Sequence, residues 1–321
     1  MKLGNLIFPH GIALAPMAGF SDYAMRRICY EWGAEYSVTD MVSARAVVYG
    51  DKKTLTLAKI TPDEAPTALQ IFGSEPQLMA EAAGRLSTFS GGGALPAAID
   101  INMGCPVRKI FTNGEGSALM KNPTLIYDIT RAVARATPLP TTVKIRLGVD
   151  SSHINAVECA LAAEEAGASA ITVHGRTKEQ LYSGKADMEK VAEVKNCVHI
   201  PLFANGDIQS AEDAVRVLSD TKADGIMIGR GAVGNPFIFS QIRSALLGEQ
   251  YFPPTLEEQK KAALTQLDYA VSDKGESVAV REARGQLAKY FHSFRGSAEL
   301  RARINLALTR EDIAAALDFI N

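Results

Sequence analysis

Cys105 is the residue whose type and surroundings point most directly to chemistry. It stands in Asn102-Met103-Gly104-Cys105-Pro106, a Gly–Pro loop that closes an apolar run, and Asn113-Gly114-Glu115-Gly116 follows soon after. A thiol of ordinary pKa, about 8.5, is mostly protonated near neutrality. At a catalytic rim it can therefore serve as general acid to a carbanion-like centre. A lone cysteine is more often a small buried hydrophobe. Cys29 and Cys159 fall inside helical patterns and Cys197 follows one, so these three are assigned to packing. With no C-x-x-C pair, neither zinc nor a dithiol centre is expected, and no metal is assigned.

Gln70, Lys144, Arg146, His174 and Arg176 also lie at the ends of short apolar runs, where a purely structural strand would carry Val or Ile. Burying such charges unpaired is costly. A cation and an amide donor suit the electron-rich N1/O2 side of a reduced isoalloxazine. For Lys144 the competing reading is a paired salt bridge in the core. Asn205-Gly206-Asp207 and Gly229-Arg230-Gly231 combine open backbone N–H groups with a guanidinium able to bind phosphate bidentately. Together they favour a phosphorylated cofactor. Ala15-Pro16-Met17-Ala18-Gly19 reads either as close backbone approach to a flat ligand or as a tight turn. His153 and His199 read as structural.

These residues need a scaffold that collects strand ends. Eight short β-rich runs, 12–19, 34–40, 66–73, 97–102, 141–147, 168–174, 200–205 and 223–229, alternate with helix-period segments such as 21–32, 76–89, 123–136, 153–166, 188–195 and 211–219. Such alternation implies a parallel sheet. Eight units over ~240 residues match a (β/α)₈ TIM barrel, and the G-x-G-x-x-G fingerprint of a doubly wound sheet is missing. In a barrel the site gathers at the C-terminal strand ends, and phosphate is commonly seated after strands seven and eight, where the two Gly turns fall. Pro253-Pro254 ends the pattern, and the rest reads as helices without strand signals. The expectation is an α/β barrel over 1–252 with a smaller all-helical C-terminal domain over 253–321.

The 321 residues are 47% hydrophobic and 22% charged, a balance suited to a large buried core rather than disorder. The apolar runs are strand-sized, and the N-terminus lacks a signal peptide's charged and apolar regions, so no membrane association and a cytoplasmic location are expected. A net charge of −2 gives no global footprint for nucleic acid. One local patch differs. Within Arg281–Arg310, seven Lys or Arg residues face two Glu, with Tyr290, Phe291 and Phe294 interleaved. It reads equally as a solvated amphipathic helix pair or as a polyanion-binding face.

Taken together, Ala15-Pro16-Met17-Ala18-Gly19, Gln70-Ile71-Phe72-Gly73, Asp100-Ile101-Asn102-Met103-Gly104-Cys105-Pro106, Lys144-Ile145-Arg146, Val173-His174-Gly175-Arg176-Thr177, Asn205-Gly206-Asp207-Ile208 and Ile228-Gly229-Arg230 resemble the tRNA-dihydrouridine synthases, with the bacterial B-type branch most similar. The resemblance implies an FMN enzyme that uses NADPH to reduce the C5–C6 double bond of selected uridines in folded tRNA. By motif, Pro16, Met17, Ala18, Gln70, Lys144 and His174 would meet the isoalloxazine and ribityl region. Asn205, Gly206, Asp207, Gly229 and Arg230 would hold ribityl and phosphate. Hydride would pass from FMN N5 to uracil C6, with Cys105 protonating C5. Asn102, Arg146 and Arg176 would grip the flipped nucleotide, and Arg301 and Arg303 of the basic helical region would hold the RNA backbone. A monomer is expected. The chain departs from the family pattern at Phe111-Thr112, where members often carry another basic residue, and at Gly91-Gly92-Gly93.

Two other readings compete. A flavin barrel acting on a free pyrimidine, as dihydroorotate dehydrogenases do, would have no need of the basic-aromatic C-terminal pattern. A non-catalytic RNA-binding barrel would have no need of Cys105 and Lys144.

Overall fold

The computed structural model describes residues 1–64, 66–291 and 296–320. Eight parallel strands form the barrel: β1 (Ile12–Leu14), β2 (Tyr36–Val38), β3 (Thr67–Phe72), β4 (Ala98–Met103), β5 (Thr141–Arg146), β6 (Ala170–His174), β7 (Leu202–Asn205) and β8 (Gly225–Ile228). Each pairs with the next. Closure comes from β8 on β1, in the register Ile226↔Ile12, Met227↔Ala13, Ile228↔Leu14. The expected alternation is present, with helices such as Pro76–Ser87, Pro123–Ala136, Ala156–Glu165 and Ala211–Thr221 between strands. Pro opens the first two, at a position where its missing N–H costs nothing.

Three features lie outside the sequence expectation. An N-terminal hairpin, Lys2–Leu3 with Leu6–Ile7, carries buried Leu3 and Phe8 into the apolar cluster inside the barrel. A two-residue strand, Val42–Ser43, adds to β3 opposite Ile71 and Phe72. Two short helices, Ala44–Val48 and Lys52–Leu57, carry the chain on toward β3. The first strand is also shorter than its apolar run. It ends at Leu14, with one further ladder bond from the Ala15 N–H to the Ile228 carbonyl, and residues 16–19 leave as a loop because Pro16 has no N–H to donate.

Strand side chains alternate with period two, so one face of each strand packs on the helices and the other fills the barrel. Inside, the lower layers are small or aromatic: Ala13, Ala68, Ala98 and Ala170 against Tyr36 and Phe203, whose rings stack at 5.9 Å. The next inward positions turn polar: Gln70 on β3, Asp100 and Asn102 on β4, Thr142 and Lys144 on β5, Thr172 and His174 on β6, Asn205 on β7. That change of character marks the site end of the barrel.

After Thr255, whose side chain and Glu258 form a reciprocal cap, come the helices Leu256–Lys274, Glu276–Leu287, Ser297–Leu306 and Arg310–Asp318. Their apolar faces share one cluster with Ala24 and Phe237 of the barrel. The Phe237 and Tyr290 rings meet edge-on at 6.4 Å, and Lys274 pairs with Asp22 at 2.6 Å, so the helices dock on the side that carries the Tyr23–Glu31 helix. Phe294 and Arg295 of the basic-aromatic stretch lie outside the described residues. Among the described residues no helix is long and apolar enough to cross a membrane.

Candidate active site

A cavity of about 550 Å³ opens at the C-terminal ends of the strands, a size ordinary for a small-molecule or cofactor site. Its wall collects residues from nearly every strand end. Pro16, Met17, Ala18, Gln70, Asn102, Cys105, Lys144, Arg146, His174, Asn205, Gly206, Asp207, Gly229 and Arg230 all line it. Arg176, Arg301 and Arg303 do not.

Lys144 is the cation of the floor. Its Nζ donates to Asn205 Oδ1 at 2.9 Å, and the Asn205 amide in turn donates to the Met227 carbonyl at 2.7 Å. Among the described residues it has no carboxylate partner, so the paired core salt bridge is not what the structure forms. Burial, reinforced by the nearby Arg146 charge, holds its pKa down at about 7. An ammonium so placed gains from an anionic ligand. Burial and then the charges of Lys144, Arg146, Arg176 and Arg230 push His174 far below its usual range, so the imidazole is neutral. The ring has no hydrogen-bond partner among the described residues and is left to a ligand.

The turn after β7 is built for close approach. Gly206 has φ +130°, and a Cβ there would lie 2.8 Å from the Ala186 methyl and 3.1 Å from His174 Cδ2. At Gly231 a Cβ would meet the Ile208 carbonyl at 2.2 Å, so that position admits no side chain. A Cβ at Gly229 would fill space beside Met17 and Ala15 on the cavity wall. Arg230 is half exposed. Its guanidinium stacks on Tyr182 at 4.5 Å and reaches Asp207 at 3.3 Å, leaving donors for an anion. Asp207, expected at the ribityl and phosphate, has its oxygens engaged: Oδ2 accepts from Arg176 and from the Ala186 N–H, Oδ1 from Arg230. Burial raises its pKa less than these donors lower it. The residues thus fit a flat, phosphorylated, anionic cofactor.

Cys105 is half-buried on a loop clamped from several directions. Asn102 Oδ1 accepts from the Cys105 N–H at 2.9 Å and from Gly104 at 3.2 Å. Arg146 Nε donates to the Gly104 carbonyl at 2.9 Å, and the Ser117 hydroxyl to the Cys105 carbonyl at 2.8 Å. Gly116, at φ +59°, lies so close that a Cβ would come within 3.1 Å of the cysteine Cβ. Burial pushes the thiol pKa up, against the pull of the Val107 N–H and of Arg146, so the group is a neutral thiol near pH 7.

The arginines divide. Arg146 lines the cavity, and its Nη1 donates to the Thr177 and Leu181 carbonyls, tying the loop after β6 to the Cys105 loop. Arg176, expected to grip substrate, is 1% exposed behind the wall. It binds the Ser183 and Gly184 carbonyls and Asp207, so its place is to brace the β6 and β7 loops. Arg301 and Arg303 are exposed on the Ser297–Leu306 helix, outside the cavity. Among the described residues, Cys29 and Cys159 are buried as expected, but Cys197 is exposed rather than packed.

Sequence reasoning missed Tyr182 and Lys289. Both line the cavity; neither closes an apolar run, and Lys289 shows in the sequence only as one of the cations of the basic-aromatic stretch. Lys289 reaches the mouth from the helical domain, its Nζ 5.5 Å from the Phe20 ring. At Phe111, where the family pattern often has a basic residue, the ammoniums of Lys178 and Lys121 lie over the ring at 4.3 and 4.7 Å, so positive charge is present beside that position.

Comparison with known proteins agrees with this geometry. The profile of the dihydrouridine synthase (Dus) family matches residues 13–320. A Treponema pallidum protein named "Probable tRNA-dihydrouridine synthase" is 39% identical, over 99% of this chain and 95% of its own. The tRNA-dihydrouridine synthase B of Pseudomonas aeruginosa is 38% identical, over 95% of this chain and 91% of its own. Among solved structures, histamine dehydrogenase from Rhizobium sp. 4-9 superimposes with a TM-score of 0.57 at 14% identity, over 84% of this chain and half of that one. That likeness is one of fold.

Proposed function

The chain belongs to the dihydrouridine synthase family, and from that premise we propose that it reduces the C5–C6 double bond of uridines in tRNA, with FMN held in the cavity and NADPH as reductant. The observation that carries the reading is the pairing, on one cavity wall, of a neutral thiol on a clamped loop with a lysine that has no ion-pair partner among the described residues.

Lys144, Gln70 and the loop from Pro16 to Ala18 would hold the isoalloxazine, and Arg230 with the turns at Gly206 and Gly229 the phosphate. When bound and reduced, FMN supplies a hydride to uracil C6. Every other part of the reaction falls to the chain. Cys105 delivers the proton to C5 as charge develops on the uracil, which its raised pKa suits. Arg146 stabilises the thiolate left behind until solvent reprotonates it. Tyr182, stacked under Arg230, offers an aromatic face at the mouth to a base drawn out of the RNA. The balance is one hydride from NADPH and one proton from the thiol, giving dihydrouridine and NADP⁺. The helical domain supplies the backbone grip through its arginines, because a uridine reaches the cavity only if the folded RNA around it is held.

The test is a flavin spectrum of the purified protein, bleached with NADPH and followed anaerobically after addition of unmodified tRNA. Reoxidation with dihydrouridine formed supports the reading. Reoxidation by free pyrimidines and not by tRNA, or failure to bind FMN, overturns it.

A further inference from the structure

Asp100 is used by nothing in the mechanism above. It sits on β4 two residues before Asn102, on the same inward face and one layer deeper, 2% exposed and off the cavity wall. A buried carboxyl survives in a barrel interior only with donors around it. This one has two. Oδ1 accepts from the Thr142 hydroxyl, and Oδ2 accepts from Gln70 Nε2 at 2.7 Å.

The second bond has consequences further up. An amide has one donor end and one acceptor end. With its NH₂ turned down to Asp100, Gln70 must present Oε1 upward, where it accepts from Asn102 Nδ2 at 2.8 Å. Asn102, its NH₂ so engaged, must present Oδ1 to the loop, where it takes the N–H groups of Gly104 and Cys105. Asn102 is already set by the two loop N–H groups, which only donate, but Gln70 below it could turn its amide either way. An acceptor oxygen at Asp100 removes that choice, so Gln70 keeps its own oxygen toward the Asn102 NH₂. We propose that Asp100 is a positioning residue for the proton donor: it holds Gln70 in the orientation that supports the Asn102 amide and, through this relay, the backbone of the Cys105 loop. The inference rests on the reading of Cys105 as the group that protonates the uracil.

Burial holds the Asp100 carboxyl up at about 6, which leaves it the acceptor that the relay needs near pH 7. The charged or titratable groups around it are Lys144, one layer above on β5, and the Tyr36 hydroxyl on β2. Neither is within ion-pair or hydrogen-bond reach, so among the described residues its bonded side chains are Thr142 and Gln70, and Gln70 is the one that leads to the loop.

Three variants test this in a Cys197→Ser background, which removes the exposed thiol: Asp100→Asn, Asp100→Leu and Asp100→Val. Asn keeps an oxygen for Gln70 and can turn its NH₂ to the Thr142 hydroxyl, so the relay keeps its direction. Leu and Val remove the acceptor, and Val serves if Leu does not fold. Two quantities are read: the rate of iodoacetamide alkylation mapped to Cys105, and kcat and KM for dihydrouridine formation on tRNA. With Leu or Val, Cys105 alkylation is expected to rise at least fivefold and kcat to fall at least tenfold, with KM for tRNA within twofold and flavin content retained. With Asn, both quantities stay within threefold of the parent. A Leu or Val variant that behaves like the parent overturns the proposal. So does an Asn variant as impaired as Leu, since the charge and not the direction would then matter. If the parent itself forms no dihydrouridine, the proposed function fails, while the alkylation comparison still decides whether the relay holds the loop.

Discussion

Replacing Lys144 by Met should change how the stability of the cofactor-free protein depends on pH, and the size of the effect follows from the site. The lysine's pKa is about 7 in the fold against an ordinary 10.5. Between those values the unfolded chain holds a proton that the folded protein has released, so stability rises with pH by up to ~1.4 kcal/mol per unit. Below pH 7 both states are protonated and the slope vanishes. Met has the stem without the charge, and its curve lacks this rise. From pH 7.5 to 9.5 the wild type should therefore gain on Lys144→Met by at most ~2.7 kcal/mol. The lysine head borders an open cavity, and water there screens it, so ~1–2 kcal/mol is the expected gain. The assay is urea unfolding of both apoproteins across that range, each pair in one buffer, so that other titrating groups cancel. A difference that stays flat, or one that shrinks as pH rises, would refute the idea that an uncompensated buried ammonium waits for an anionic ligand.

Cys105→Ala should fold, bind FMN and be reduced by NADPH at wild-type rates, yet lose most dihydrouridine formation, as read by tRNA-driven flavin reoxidation; full turnover would remove the thiol from the proton transfer. Arg301→Glu with Arg303→Glu should weaken tRNA binding, with a shallower salt dependence, and leave NADPH oxidation intact; unchanged affinity would sink the RNA-facing role of that helix. Arg26→Met should cost ~3–5 kcal/mol in a denaturant titration, because it strands the Glu64 carboxylate, whose partner Arg26 is itself 3% exposed, inside the fold; a cost under ~1 kcal/mol would mean that the ion pair is dispensable.

The sequence by itself determined the barrel and most of the site. Strand-sized apolar runs ending in Gln70, Cys105, Lys144, His174, Asn205 and Arg230 can be read because a barrel delivers strand ends to one face whatever the helices between them do. The period-two pattern even says which of these side chains point inward. What it left open were matters of pairing and of loop path. Whether Lys144 meets a carboxylate depends on which neighbour stands one layer away, and only the register of β4 on β5 sets Asp100 below it and beyond ion-pair reach. Arg146 and Arg176 looked alike in the sequence, since both are cations closing a strand; the return of the loop after β6 leaves one on the cavity wall and buries the other behind it. Tyr182 and Lys289 carry no strand-end signal, because one arrives on a loop and the other from the helical domain docked beside the mouth. The three-residue relay from Asp100 to the Cys105 loop is tertiary by nature: its parts sit on adjacent strands 30 residues apart, and the direction of each hydrogen bond exists only once the strands are side by side.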